Sequence, residues 1–362
     1  MQLRSSRLSA RDTHITGEGV LNVMPFRQLS MNGARRVCVL FLVALLLSSS
    51  HLGWAAKYAR RTQEIPFRLF GDHLVVITGS LGEPKPRLLL IDTGTNPSLV
   101  DCETARELGL QQVGAQTNEI VVMNGTTQTY SAVLPEMAFG PIRRRGLPVN
   151  VADLSWLRQG TGIHVDAVVG LDVLDQLKFQ IDYSSKKIKF GDIAMAGTRV
   201  PVSETDNFLT AEARLNGTRV NLMLDTAGSG VVLFSDGLAT AASDTAPGPT
   251  VSFSNMAGQG RIHEIEVTGL TLGEANLGRA LAAIADQSPS RKVQGILGIS
   301  ATVFKRISFD FGHGLASVEL THTVADSTDE TLSCEATLGF SACYGTRTQP
   351  NPNHPSRPWC VH

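Results

Sequence analysis

The 362-residue chain lacks most of the signals that mark other function classes. Lys and Arg number 32 against 33 Asp and Glu, so no basic surplus exists to attract nucleic acid or an anionic membrane surface. There is no Gly-x-Ser-x-Gly elbow, because the glycines around Ser229 have the wrong spacing, and no phosphate-binding loop. A bare Gly258-Gln259-Gly260 is all that stands for a dinucleotide fingerprint. The nine His are scattered and the five Cys show no paired short spacings, which speaks against a metal site and implies no cofactor. The apolar run Val37 to Leu47 falls short of the roughly 20 residues that a membrane span needs. What is present is 42% hydrophobic and 18% charged residues with 34 Gly, a composition of neither a disordered chain nor a coiled coil. Short β-branched runs between glycine turns predict a mostly β protein.

Arg35 and Arg36 precede the apolar run, and small residues including Gly53 and Ala55 follow it. This is the layout of a secretory signal over residues 1 to 55, predicting export to a periplasmic or secreted location. Retained, the run would be a signal anchor lengthened by Leu52 and Trp54, the one case in which a membrane becomes a partner. Met31 is an alternative start, since secretory signals begin near their basic residues. Cys38 lies inside the signal, which leaves Cys102, Cys334, Cys343 and Cys360 for an oxidising compartment. The close pair Cys334 and Cys343 is the expected bridge.

The mature chain repeats itself. Residues 65 to 92 and 200 to 225 each read as strand, turn, strand, then an apolar strand ending in Asp-Thr. The first reaches Asp92-Thr93-Gly94-Thr95 and the second Asp225-Thr226-Ala227-Gly228, 133 residues later. Ala167-Val168-Val169-Gly170 is matched by Gly295-Ile296-Leu297-Gly298, and Asp182 by Asp310 in a closing strand pair 12 residues past each final Gly. A period this long signals duplicated lobes rather than a solenoid. The expected organisation is a signal over 1–55, lobe 1 over 56–197, lobe 2 over 198–321 and a low-complexity, Cys-containing tail over 322–362. Asn124-Gly125 centres a hairpin over residues 118 to 134, whose counterpart over 250 to 267 turns at Ala257-Gly258. Apolar spacing predicts a helix over Ser98 to Leu110, ending at Gly109.

An Asp closing an apolar strand is not a surface carboxylate by pattern, and its charge has to be met. If two such lobes pack about a two-fold axis, Asp92 and Asp225 meet there, and two carboxylates sharing a site hold one proton between them. Such a pair activates water and protonates a leaving amine. Thr93 and Thr226 are placed to send hydroxyls across the axis, and Gly94 and Ala227 are small enough for their N–H groups to approach a carboxylate. The hairpins would fold over the cleft, with Asn124, Gly125 and Thr126 at the substrate.

The strings LLLIDTGTNPSLVD and VNLMLDTAGSGVVLFSD, each followed by an apolar-apolar-Gly motif, resemble the catalytic signatures of aspartic proteases of the pepsin and retroviral-protease superfamily. The helix ending ARELGL is most similar to bacterial retropepsin-like domains, here in tandem over roughly residues 62 to 321. The resemblance implies an all-β fold of two homologous lobes, few short helices and an inter-lobe cleft. It further implies a dyad of Asp92 and Asp225 on a scaffold of Thr93, Gly94, Thr95, Thr226 and Ala227, acting on peptide or protein substrates. Ala227 stands where the family has Gly, and Gly228 where it has a hydroxyl residue, which is expected to remove one hydrogen bond from Asp225 and either raise its pKa or loosen its position. Those departures favour an alternative, a catalytically inactive module that binds peptides or cell-surface polymers. No long basic propeptide lies between Ala56 and Ile65, and Tyr130 is shifted from the hairpin tip where pepsins carry a Tyr.

Plainer readings apply elsewhere. A lone Asp at a strand end would be a turn cap, Gly170 and Gly298 would serve a strand-to-helix turn needing glycine geometry, and Asp182 and Asp310 would be turn residues. His164 and His263 read as loop or sheet-face residues. Asn124-Gly125-Thr126 and Asn216-Gly217-Thr218 match the glycosylation pattern but also read as hairpin turns.

Overall fold

Alternation and β-branched runs become strands almost throughout. The computed structural model describes residues 62–122, 125–235, 247–286, 288–321 and 345–347. The predicted signal over 1–55, the Cys334–Cys343 bridge, Asn124 and most of the tail lie outside the described residues. Among these residues the fold is all-β, with 22 strands and three short α-helices.

In lobe 1 the strands are β2 (Arg68–Phe70), β3 (Leu74–Gly79), β4 (Arg87–Ile91), β5 (Leu99–Asp101), β6 (Gln112–Val122), β7 (Gly125–Phe139), β8 (Ile142–Ala152) and β9 (Ala167–Val169). Their order across the sheet is β2-β3-β4-β9-β5-β8-β7-β6. Lobe 2 holds β12 (Thr198–Thr205), β13 (Phe208–Leu215), β14 (Thr218–Asp225), β15 (Val231–Phe234), β16 (Pro247–Asn255), β17 (Gly258–Leu272), β18 (Ala275–Ala285) and β19 (Gly295–Gly298). It repeats the order position for position as β12-β13-β14-β19-β15-β18-β17-β16. The duplication read from the sequence is therefore a duplication of topology.

A third ladder joins the lobes, with the order β1 (Gln63–Pro66), β11 (Lys187–Phe190), β10 (Lys178–Asp182), β20 (Phe304–Asp310), β21 (Leu315–Leu320), β12. Its centre is the antiparallel β10–β20 pair, with Gln180 opposite Ser308 and a 2.9 Å hydrogen bond from Gln180 Nε2 to Ser308 Oγ. Either side of that point the register sets Asp182 against Arg306 and Lys178 against Asp310. Both are ion pairs, at 2.8 and 3.3 Å. Asp182 and Asp310 are thus more than turn residues. Asp182 does accept the Ser185 N–H at 3.0 Å, but its other oxygen ties one lobe's closing hairpin to the other's. Phe179 and Phe309 pack against each other across the same pair, with centroids 5.1 Å apart and the rings tilted by 37°.

The helix predicted over Ser98 to Leu110 is shorter, α1 (Cys102–Glu107). Leu99 and Val100 instead form β5, paired with Asn150 and Val151 on one side and Val168 and Ala167 on the other. Fully buried strand pairing outweighs helical spacing there. Asp101 caps α1 through the N–H groups of Glu103 and Thr104, and the chain turns out at Gly109, whose φ of 66° is the left-handed region. The other helices are α2 (Ser155–Thr161) and α3 (Leu171–Leu174).

Candidate active site

β4 and β14 each run parallel to the apolar-apolar-Gly strand of their own lobe and deliver a carboxylate at the end. Asp92 and Asp225 are 1% and 0% exposed, so each must find its partners inside the protein. The following threonines lock the two loops together. Thr93 Oγ1 donates to Leu224 O at 2.7 Å and accepts the Thr226 N–H at 3.2 Å. Thr226 Oγ1 donates to Ile91 O at 3.2 Å and accepts the Thr93 N–H at 3.0 Å. Each hydroxyl thus satisfies one donor and one acceptor of the opposite lobe. Thr93→Ala strands both groups in a dry interior and is expected to cost about 2 to 4 kcal/mol, while Thr93→Ser, which keeps the hydroxyl, recovers most of it. Urea unfolding midpoints measure this, and an unchanged midpoint for Thr93→Ala would refute the role.

Both carboxylates receive backbone donors. Asp92 accepts the Gly94 N–H at 2.7 Å on one oxygen and the Thr95 hydroxyl on the other. Asp225 accepts the Ala227 N–H at 2.8 Å and is also served by the backbone N–H of Gly228. Position 228 depends on glycine, because a Cβ there would stand 2.9 Å from Asp225 Oδ2. Gly94 is equally constrained: its Cβ would lie 2.8 Å from Asp225 Cγ and 3.1 Å from both oxygens. The glycine of the first motif therefore makes room for the carboxylate of the second.

The two carboxyl groups hydrogen-bond each other. Burial lifts Asp92 to about 6, against the lowering effect of its bonds from Thr95, Gly94 and Asp225. Burial and then the charge of Asp92 raise Asp225 well above the ordinary carboxylate range. The pair shares a proton, with Asp92 the readier to ionise.

Gly170 and Gly298 have a different reason from the one expected. Gly170 has an ordinary φ of −92°, but its Cβ would meet Thr95 O at 2.6 Å. At Gly298 the Cβ would meet Gly228 C and Ser229 N at 2.5 Å. Both glycines let the catalytic-type turn pass directly over the neighbouring strand, so space rather than torsion demands them. Ser98 Oγ donates to Asp172 at 2.7 Å and accepts the Gly170 N–H at 2.9 Å, which clamps this crossing in lobe 1.

Two hairpins close over the site. Gly125 and Thr126 begin β7 at the tip of the first, beside Asn124, which lies outside the described residues. Ala257 is at the tip of the second, where its N–H bonds Asn255 Oδ1 at 2.9 Å. The tips meet: a Cβ on Gly125 would be 2.8 Å from that of Ala257. Met256 reaches across to an apolar cluster that holds Leu90, Leu99, Ile120 and Val168 of lobe 1 together with Ala227 of lobe 2. Tyr130 lies opposite Thr117 and Val151, well down the hairpin from its tip.

Two supporting residues, Tyr183 and Asp72, escape the sequence reading. The buried Tyr183 hydroxyl donates to Ile299 O at 3.1 Å, and Ile299 N–H bonds Asp225 O at 2.8 Å, which props the second loop from below. Asp72, on the turn between β2 and β3, accepts from Thr302 of the other lobe and from His73 at 2.8 Å. Burial pulls Asp72 up, but the bonds from His73 and Thr302 outweigh it and hold the group at about 2. No repeated motif carries these residues, so spacing could not reveal them.

One grouping of metal-ligand type occurs among the described residues, Asp101, Glu103 and His164. Its atoms are otherwise engaged: Asp101 caps α1 and accepts the Leu154 N–H, while Arg158 bonds both Glu103 and His164.

Comparison with known families agrees with this geometry. A family described as aspartyl protease matches the chain twice, over residues 77–173 and 211–301, together just over half its length. Each match spans one strand-end Asp and its apolar-apolar-Gly partner. No curated protein matches the chain.

Proposed function

The chain belongs to the aspartyl protease family, and we propose that it is an active, exported endopeptidase whose dyad is Asp92 and Asp225. The observation that carries the reading is the pair of fully buried, mutually bonded carboxylates, each supplied with a backbone N–H donor from the turn that follows it. In the reaction, ionised Asp92 takes a proton from water as the oxygen attacks the peptide carbonyl carbon, and Asp225 gives its proton to the carbonyl oxygen. The resulting gem-diol collapses when Asp92 passes its proton to the leaving nitrogen and Asp225 recovers one from a gem-diol hydroxyl. The C–N bond breaks and both groups return to their starting states. The flaps exclude bulk water during these transfers.

Burial sets the pH at which this works. The dyad must have lost one proton and kept the other, and with Asp92 lifted to about 6 that window lies nearer neutral pH than a dyad of ordinary carboxyls would place it. Thr95→Val removes a donor that favours the charged form, so the acid limb of kcat/KM moves to higher pH by about one pH unit. An acid limb that stays in place would show that Thr95 does not tune Asp92.

Export rests on the Arg35-to-Ala55 signal layout and is supported by the disulfide-bonded state of Cys102, since such bonds persist in oxidising compartments. The substrate class is peptide or protein, with neither metal nor cofactor in the mechanism. Ala227 and Gly228 favour the second reading, a binding module without catalysis. Against it stand the backbone N–H groups of Ala227 and Gly228, which both serve the Asp225 carboxyl. Incubation of the chain from Ala56 with a diverse peptide mixture, read by mass spectrometry beside Asp92→Asn, separates the two. New termini that appear only with the wild type support the protease, and none from folded protein supports the binding module.

A further inference from the structure

The two lobes carry unlike chemistry on equivalent faces. The face of lobe 1 that holds Leu90, Leu99 and Val168 meets Ala227 of the second dyad loop and Met256 of the opposite flap, so it looks into the cleft. Strand register aligns Leu90, Val168, Leu99, Asn150 and Ser131 in one row across it. Lobe 2 repeats that row as Met223, Ile296, Val232, Ala283 and Glu264.

In lobe 1 the row ends in a neutral polar trio. Asn118 Nδ2 donates to Ser131 Oγ at 2.8 Å and to Asn150 Oδ1 at 3.0 Å. The duplication spacing of 133 residues carries Asn118, Ser131 and Asn150 onto Val251, Glu264 and Ala283. Both hydrogen-bonding partners are therefore gone from lobe 2, and the residue they served is a carboxylate.

Glu264 is 4% exposed. Ala283 flanks it on one side and Gly248 on the other, where a Cβ would stand 3.5 Å from that of Glu264. Ile262, its neighbour on the same face, belongs to an apolar cluster with Val232 and Ala283. Among the described residues no hydrogen bond or ion pair serves the Glu264 carboxyl, and burial alone pushes its pKa up. Glu266, two residues on, is by contrast paired with Arg279 at 3.4 Å. A buried carboxyl without a partner costs stability, and a cation placed beside it offsets that cost.

We propose that Glu264 is a specificity residue on the lobe 2 side of the cleft: it receives the ammonium or guanidinium group of a substrate Lys or Arg, so that peptides are cut with a basic residue at one fixed position near the scissile bond. The preference in cleavage rests on the protease reading, whereas the contact with a basic side chain does not.

The test profiles the new termini made from a diverse peptide mixture by the chain from Ala56 and by its Glu264→Gln, Glu264→Leu and Glu266→Gln variants. Wild type and Glu266→Gln are expected to enrich Lys and Arg at one position, and both Glu264 variants to lose that enrichment. For a peptide cut at such a site and its norleucine counterpart, the kcat/KM ratio falls about tenfold or more in Glu264→Gln, mainly through KM. The same peptides are also passed over immobilised Asp92→Asn protein with and without Glu264→Gln, where basic peptides should be retained only by the protein that keeps Glu264. Cleavage without a basic preference, or a preference that survives in both Glu264 variants, overturns the role of Glu264 and leaves the protease reading standing. No cleavage by the wild type, with basic peptides retained only where Glu264 is intact, ends the protease reading and leaves the contact standing. Neither cleavage nor Glu264-dependent retention overturns both.

Discussion

Asp92→Asn and Asp225→Asn each abolish peptide turnover, lowering kcat by about a thousandfold or more, while the protein keeps its fold. Either change leaves one carboxyl without its proton-sharing partner, so the concerted exchange of a base and an acid at one site is lost. Stability moves the other way. Both folded-state pKa values stand above the ordinary 3.8, so a charge held in the buried site costs stability once the pH passes that value. For Asp92 the cost grows as pH rises from 3.8 to about 6 and is constant above. Each amide variant should therefore melt close to the wild type at pH 3.5 and above it at pH 7. Thermal unfolding at the two pH values checks this, and variants that melt lower than wild type at pH 7 would contradict the buried-dyad electrostatics.

Gly94→Ala is the second large effect, and a less obvious one because it adds a single methyl. That carbon would come within 2.8 Å of Asp225 Cγ, a distance that forces the carboxyl away from Asp92 and from its backbone donors. We expect kcat to fall by about a hundredfold, a misplacement cost typical of catalytic groups shifted by about an ångström. Gly228→Ser behaves similarly, since its Cβ crowds Oδ2 of the same carboxyl. Adding a hydroxyl at this position would thus harm rather than restore the site. Ala227 is the contrasting position, because its methyl already packs among Leu90, Leu99 and Val168 in lobe 1. Ala227→Gly should leave kcat within a few-fold and cost about 1 kcal/mol of stability through lost packing and added chain freedom. Equal kinetics for Gly94→Ala and Ala227→Gly would show that the close approach to Asp225 has no catalytic weight.

Much of this was legible because a duplication repeats its signals. Asp92 and Asp225, their threonines and the closing glycines recur at near-constant separation, so the two equivalent lobes could be read from spacing alone. What stayed hidden depends on which strands meet across the molecule. The pairing of Asp182 with Arg306 and of Lys178 with Asp310 is a property of two hairpins brought together about an axis, and each partner looks like an ordinary turn or strand residue by itself. Leu99 and Val100 carry helical spacing yet enter a buried three-strand arrangement, where pairing on both sides outweighs local preference. Gly228 reads as a lost hydroxyl, whereas in the fold its N–H serves the Asp225 carboxyl. The three-residue strand at Gly345–Arg347 has too little sequence to signal itself and exists through its neighbour β6.

The most direct test of the account is the pH dependence of kcat/KM for a peptide the wild-type chain cleaves, measured from pH 3 to 9. A dyad that works with one shared proton gives a bell-shaped curve, with its acid limb near pH 6 set by Asp92. A profile that is flat over this range, or folded wild-type protein with no turnover at any pH, would contradict catalysis by Asp92 and Asp225.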